Sequence, residues 1–219
     1  MSFNMNNESI LEATTAFVKN ELADAEKGHD WWHIERVWKN AKLILKTESA
    51  DDFVVELGAL LHDIRDSKFH SEDDGPKVAR QFLESLSVDS NVIEQVENII
   101  LHISYKSNID GQKWMSPELA VVQDADRLDA LGAIGIARAF TYGGFKGRTL
   151  YDPTIAPALA LTQEAYKKHE GTTVNHFYEK LLLLKDLMNT KTGRELAEKR
   201  HVFMERYLEE FLKEWEGKS

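Results

Sequence analysis

The segment "FVVELGALLHDI", Phe53 to Ile64, is apolar on almost every face until it reaches His62 and Asp63. A strand of that length would alternate or be broken by turn residues. A helix that is hydrophobic all round belongs in the middle of a helical core. Ser49, three residues before Asp52, supplies a capping-box start for it. The same core must therefore accept, at the segment's end, an imidazole and a carboxylate side by side, where burial makes polar groups costly.

The remaining chain repeats the helical period. Ile10, Thr14, Phe17 and Leu22 form one stripe, and His33, Val37, Ala41 and Ile44 another. Pro76 suits the first turn of "PKVARQFLESL", Ser90 the cap of "NVIEQVENIILHI", and Ser116-Pro117 the start of a helix expected to run through Ala139. The glycines of "YGGFKGRTLYDP" predict a break over about 143–152, with no strand or Lys-Ser/Thr context for a phosphate loop. Helices follow, the last from about Thr192 to Trp215. Strand alternation is absent, so the fold class is all-α, a helical bundle in one domain over 1–219. Phe203, Tyr207, Phe211 and Trp215 line one face of the last helix, which either bundle packing or a homodimer contact explains.

At 219 residues, with 42% hydrophobic and 29% charged residues, the chain can bury a sizeable core. A net charge of −10 argues against wrapping a nucleic-acid polymer, because that affinity needs a basic face. Cysteine is absent, which excludes disulfides and thiolate chemistry. "MSFNMNNESI" does not read as a secretory leader and no apolar run is long enough to span a bilayer, so the expected location is the cytoplasm.

Four residues stand out chemically: His33 in "HDWWHIERVW", His62 and Asp63, and Asp126 in "VVQDADRLDALGA". Asp126 falls on the stripe of Leu119 and Val122, which predicts a carboxylate turned toward the core. Consecutive helical residues point about 100° apart, so His62 and Asp63 reach one ion only if it lies beside the helix end. Taken singly, each of the four is better explained as a polar residue that finds a hydrogen bond inside a large core. Their order along the chain is the departure.

That order, carried by "DWWHIERV", "LLHDI" and "DADRLDA", resembles the HD-domain superfamily of metal-dependent phosphohydrolases, and the phrasing is similar to its stand-alone bacterial members. The resemblance covers about Asn20 to Phe140, which implies an HD core over about 20–140 and a C-terminal helical extension over about 155–216. It further implies that His33, His62, Asp63 and Asp126 ligate one divalent cation, for which Mn, Mg, Co, Ni, Fe and Zn all suit the donors. The segment "ELGALLHD" lacks the additional His and Glu ligands of two-metal members. Asp66 matches an acidic position that manages a proton in several members. Its bland alternative is a solvated carboxylate at a helix end.

A phosphorylated substrate calls for cations, and Lys68, Lys106 and Arg127 are candidates, with His102 one turn before Lys106. Asp30 is a natural N-cap for the helix carrying His33. His29 is placed to hydrogen-bond a ligand carboxylate. Trp31 and Trp32 read as aromatic packing beside the site, with stacking of a base as the alternative. The leading function is hydrolysis of a small phosphorylated metabolite, in particular a nucleotide, by a pyrophosphohydrolase or phosphatase. A metal-binding regulatory module without turnover and a helical interaction protein are the alternatives.

Overall fold

A computed structural model describes residues 5–23, 30–64, 74–103, 114–158 and 171–218. No strand occurs among them, and the fold is all-α. No described helix is long and apolar enough to cross a membrane. Contacts divide the chain into two compact units, 1–125 and 126–219.

The first unit contains α1 (Asn7–Glu21), α2 (Trp31–Ile44), α3 (Asp52–Leu61), α4 (Asp74–Ser85), α5 (Ser90–His102) and most of α6 (Pro117–Asp129). Its centre is α3, which packs on α1, α2 and α5. Val54, Val55, Leu57, Ala59, Leu60 and Leu61 are all fully buried. Each such Val or Leu contributes about 1.5–3 kcal/mol. At Gly58 a Cβ would meet Ile99 Cδ1 of α5 at 2.9 Å and Val122 Cγ2 of α6 at 3.5 Å, so the missing side chain is what lets these helices close on α3. The cap of α3 is Asp51 rather than Ser49: its carboxylate accepts from the N–H groups of Phe53 and Val54 at 3.0 and 3.2 Å. Likewise Asp89, not Ser90, caps α5. In both places the N-cap is the carboxylate immediately before the helix, which accepts from the free amide groups in place of the serine.

The second unit contains the end of α6, then α7 (Gly132–Phe145), α8 (Thr173–Glu179), a 3₁₀ segment (Leu181–Leu187) and α9 (Lys191–Trp215). The single helix expected through Ala139 is two helices. Gly132 adopts φ +70°, a left-handed conformation that favours glycine, and the stem of Arg200 lies 3.1 Å from where a Cβ would be. Arg200 donates to the Leu128 carbonyl, and Arg138 to the Asp129 carbonyl at 3.4 Å, so distant side chains satisfy the carbonyls that α6 leaves open. Conversely, α7 runs on through Gly143 and Gly144 and turns only at Gly147, with φ +64°. Glycine lowers helix propensity by only about 1 kcal/mol, which the tertiary setting outweighs. An aromatic cluster of Phe140, Phe177, Tyr207, Phe211, Tyr151 and Trp215 links α7, α8 and α9.

Candidate metal centre

Asp30 caps α2 by accepting from the backbone N–H of His33 at 3.1 Å, which fixes the first turn and holds His33 on the buried face, 2% exposed. Two turns later on that face Asn40 donates to the Ala125 carbonyl of α6 at 3.2 Å, tying α2 to the residue before Asp126. His62 and Asp63 occupy the turn just after Leu61, beyond the last residue of α3.

His62 Nδ1 lies 2.8 Å from the Ala59 carbonyl. A carbonyl only accepts, so Nδ1 carries a proton, which leaves Nε2 as the nitrogen that can ligate a metal. The His33 and His62 rings stand 5.4 Å apart and inclined at 72°. One ligand atom from each of His33, His62 and Asp63 lies within 4.8 Å of the other two. Two imidazoles and a carboxylate, with both histidines buried and Asp63 half-buried, fit a divalent cation of the first transition series.

Other expected site residues have different surroundings. Asp126 is half-buried and belongs to the second unit, outside the three-residue group. The fully buried acids of α6 are Asp124 and Asp129. Asp129 forms an ion pair with Arg138. Arg127 is buried and donates to the Leu187 carbonyl. His102 is half-buried: its Nδ1 lies 2.8 Å from the Asn98 carbonyl, its ring 5.3 Å from that of Trp114, and its own carbonyl accepts from Gln123 at 2.9 Å. His29, Asp66, Lys68 and Lys106 lie outside the described residues.

Trp32 departs from the packing expected of it, being 61% exposed. Trp31 is half-buried, with the Lys19 ammonium 4.5 Å above its ring. Gln123 and Trp114 emerge as neighbours of His102 that sequence reasoning missed; a buried glutamine between Val122 and Asp124 was the available signal.

A family model for the HD domain matches residues 31–131. The chain is 38% identical over 214 residues to the Bacillus subtilis protein YpgQ, covering 94% of each. An HD-superfamily hydrolase from Bacillus thuringiensis, 45% identical, superposes with a TM-score of 0.79 over 96% of this chain and 99% of that one. The crystal structure of Bacillus subtilis YpgQ in complex with ADP is similar as well, at 36% identity and a TM-score of 0.75 over 96% and 97% of the two chains. With its His33, His62 and Asp63 gathered where the matched region holds them, the chain belongs to the HD-domain superfamily.

Proposed function

We propose that this protein is a metal-dependent phosphohydrolase that cleaves a phosphoester or phosphoanhydride bond of a small phosphorylated metabolite, a nucleotide. The observation that carries the reading is the convergence of His33, His62 and Asp63 within 4.8 Å of one another. Such a set is far better suited to a cation than to packing. Nucleotide is favoured over other phosphorylated metabolites by the ADP held in YpgQ.

In this reading His33, His62, Asp63 and Asp126 hold one divalent cation. Bound there, it supplies Lewis acidity toward a phosphoryl oxygen and acidifies water. The Ala59 carbonyl keeps His62 in its ligating tautomer, and the Asp30 cap keeps the His33 helix turn in place. Asp66 takes the proton as the water oxygen bonds to phosphorus and the bridging P–O bond breaks. Lys68 and Lys106 offset the negative charge of the substrate, and His102 and Arg127 complete its polar surroundings. His29 steadies a ligand carboxylate. The site works in the cytoplasm on a soluble substrate, not on a nucleic-acid polymer or a membrane.

The test is turnover of a nucleotide panel with Mn²⁺, Mg²⁺, Co²⁺, Ni²⁺, Fe²⁺ or Zn²⁺ added singly, with orthophosphate and pyrophosphate measured separately. Metal-dependent release of either product from at least one nucleotide supports the reading. Tight metal binding with no release from any phosphorylated compound would replace it with a regulatory module.

A further inference from the structure

Five tryptophans sit in this chain, and four have defined company. Trp31 lies under Lys19, Trp38 donates to Glu56 at 2.8 Å beneath Lys42, Trp114 packs on His102, and Trp215 joins the α9 cluster. Trp32 has no hydrogen bond, ring contact or cation among the described residues and is 61% exposed. A large rigid aromatic left in water forfeits the burial that usually justifies it. Its position is specific. The buried face of α2 comprises His33, Ile34, Val37, Asn40, Ala41 and Ile44. Trp32 precedes His33 by one residue and so points about 100° away from it, on the side opposite Ile34. The indole therefore stands in solvent one residue before His33, in a first turn fixed by Asp30.

We infer that Trp32 is the platform on which the base of a nucleotide stacks while its phosphates engage the His33, His62 and Asp63 group. This deepens the proposed function and rests on it. Stacking on an indole uses the π-face that every base presents and reads no hydrogen-bonding edge. The consequence for specificity is that the site selects for a nucleobase and tolerates its identity. Purine and pyrimidine nucleotides are taken alike, and a polyphosphate without a base is taken less well.

The experiment uses the full chain with Mn²⁺ and compares wild type, Trp32→Ala and Trp32→Phe. Substrates are four nucleoside triphosphates and inorganic tripolyphosphate; ADP binding is followed separately by calorimetry. Removing a base–aromatic stack costs roughly 5- to 150-fold in affinity. Trp32→Ala should raise KM for all four nucleotides by about that factor, relative to its KM for tripolyphosphate, and weaken ADP in parallel. Trp32→Phe should restore most of the loss. If wild type and Trp32→Ala bind ADP and turn over nucleotides with the same KM, the inference is overturned while the phosphohydrolase reading stands. Should sedimentation show that Trp32→Ala splits a dimer without changing KM, the indole belongs to a contact with a second copy, and the inference is again overturned. Wild type that neither binds ADP nor cleaves any nucleotide removes the nucleotide reading and this inference with it.

Discussion

Removing His62 should abolish the stabilisation that a divalent cation gives this protein, and the size of that loss can be worked out beforehand. A partner that only orients a ligand is worth about 10- to 100-fold in metal affinity. His62 stands in the donor group itself, so His62→Ala should weaken binding by about 100-fold or more. At Mn²⁺ one hundred times the wild-type Kd, wild type gains about 2.7 kcal/mol. For a chain of this size, at about 2–4 °C per kcal/mol, that is a rise in Tm of about 5–11 °C. The variant, its Kd raised to the working concentration, gains about RT ln 2, or ~0.4 kcal/mol, and its Tm rises by about 1–2 °C. The metal-free variant also loses the Nδ1 bond to Ala59 and the packing of a buried ring, so the quantity to read is the metal-induced shift and not Tm itself. Thermal unfolding followed by circular dichroism, with and without Mn²⁺, measures it. His102→Ala is the control: its imidazole stands outside the donor group and should leave the shift at the wild-type value. A full 5–11 °C shift in His62→Ala would refute the assignment of this group as a metal centre.

Burial, reinforced by Lys180 and Arg148, holds the His176 imidazole at a pKa of about 3, so it is neutral in the folded protein. As pH falls below about 6.5 the unfolded chain takes the proton first, and stability drops by up to about 1.4 kcal/mol per pH unit; His176→Gln should unfold in urea with a visibly flatter pH dependence between 6.5 and 4.5. Arg138→Met takes its ion-pair partner Arg138 from the buried Asp129 carboxylate, leaving it the charge of Arg200, and should cost up to about 3–5 kcal/mol in urea unfolding, much of it recovered by Arg138→Met with Asp129→Leu. No recovery in the double variant would mean that Arg138 acts through its other bond, to the Asp129 carbonyl. Asp66→Asn should keep the Mn²⁺-induced shift and slow turnover by about two to four decades; an unchanged rate makes Asp66 a surface residue.

Helix placement was legible wherever periodicity and burial agree. His33, Val37, Ala41 and Ile44 read as one stripe and are all buried, and α3 reads as central and is. That His33, His62 and Asp63 belong together was implied by the resemblance to the HD superfamily and not by spacing; the structure brings one ligand atom of each within 4.8 Å of the others. Where the outcome depends on residues far apart in the chain, local pattern failed. The end of α6 is set by Gly132 against Arg200, and nothing near Asp129 announces an arginine from α9. Helical periodicity put Asp126 on the core face, yet Asp126 is half-buried while Asp124 and Asp129 are buried, because a stripe drawn from Leu119 and Val122 assumes one buried side, whereas most faces of α6 are covered. Trp32 misled for a related reason. Tryptophan beside a site is usually packing, and its exposure follows from a helix orientation that the Asp30 cap and the buried residues of α2 set together.

The arginine that closes α6 also imposes an order on synthesis. Arg200 lies 72 residues after Leu128, whose carbonyl it caps. At about 5–20 residues per second, it leaves the ribosome roughly 4–14 seconds after its partner. His33, His62 and Asp63 have all emerged well before either. The nascent chain therefore carries its metal-binding side chains for an interval in which the Leu128 carbonyl accepts from the N–H of Leu131 but not yet from the Arg200 guanidinium. Any event that stops translation between Leu128 and Arg200 releases a polypeptide that holds all three donors but lacks the guanidinium that closes α6.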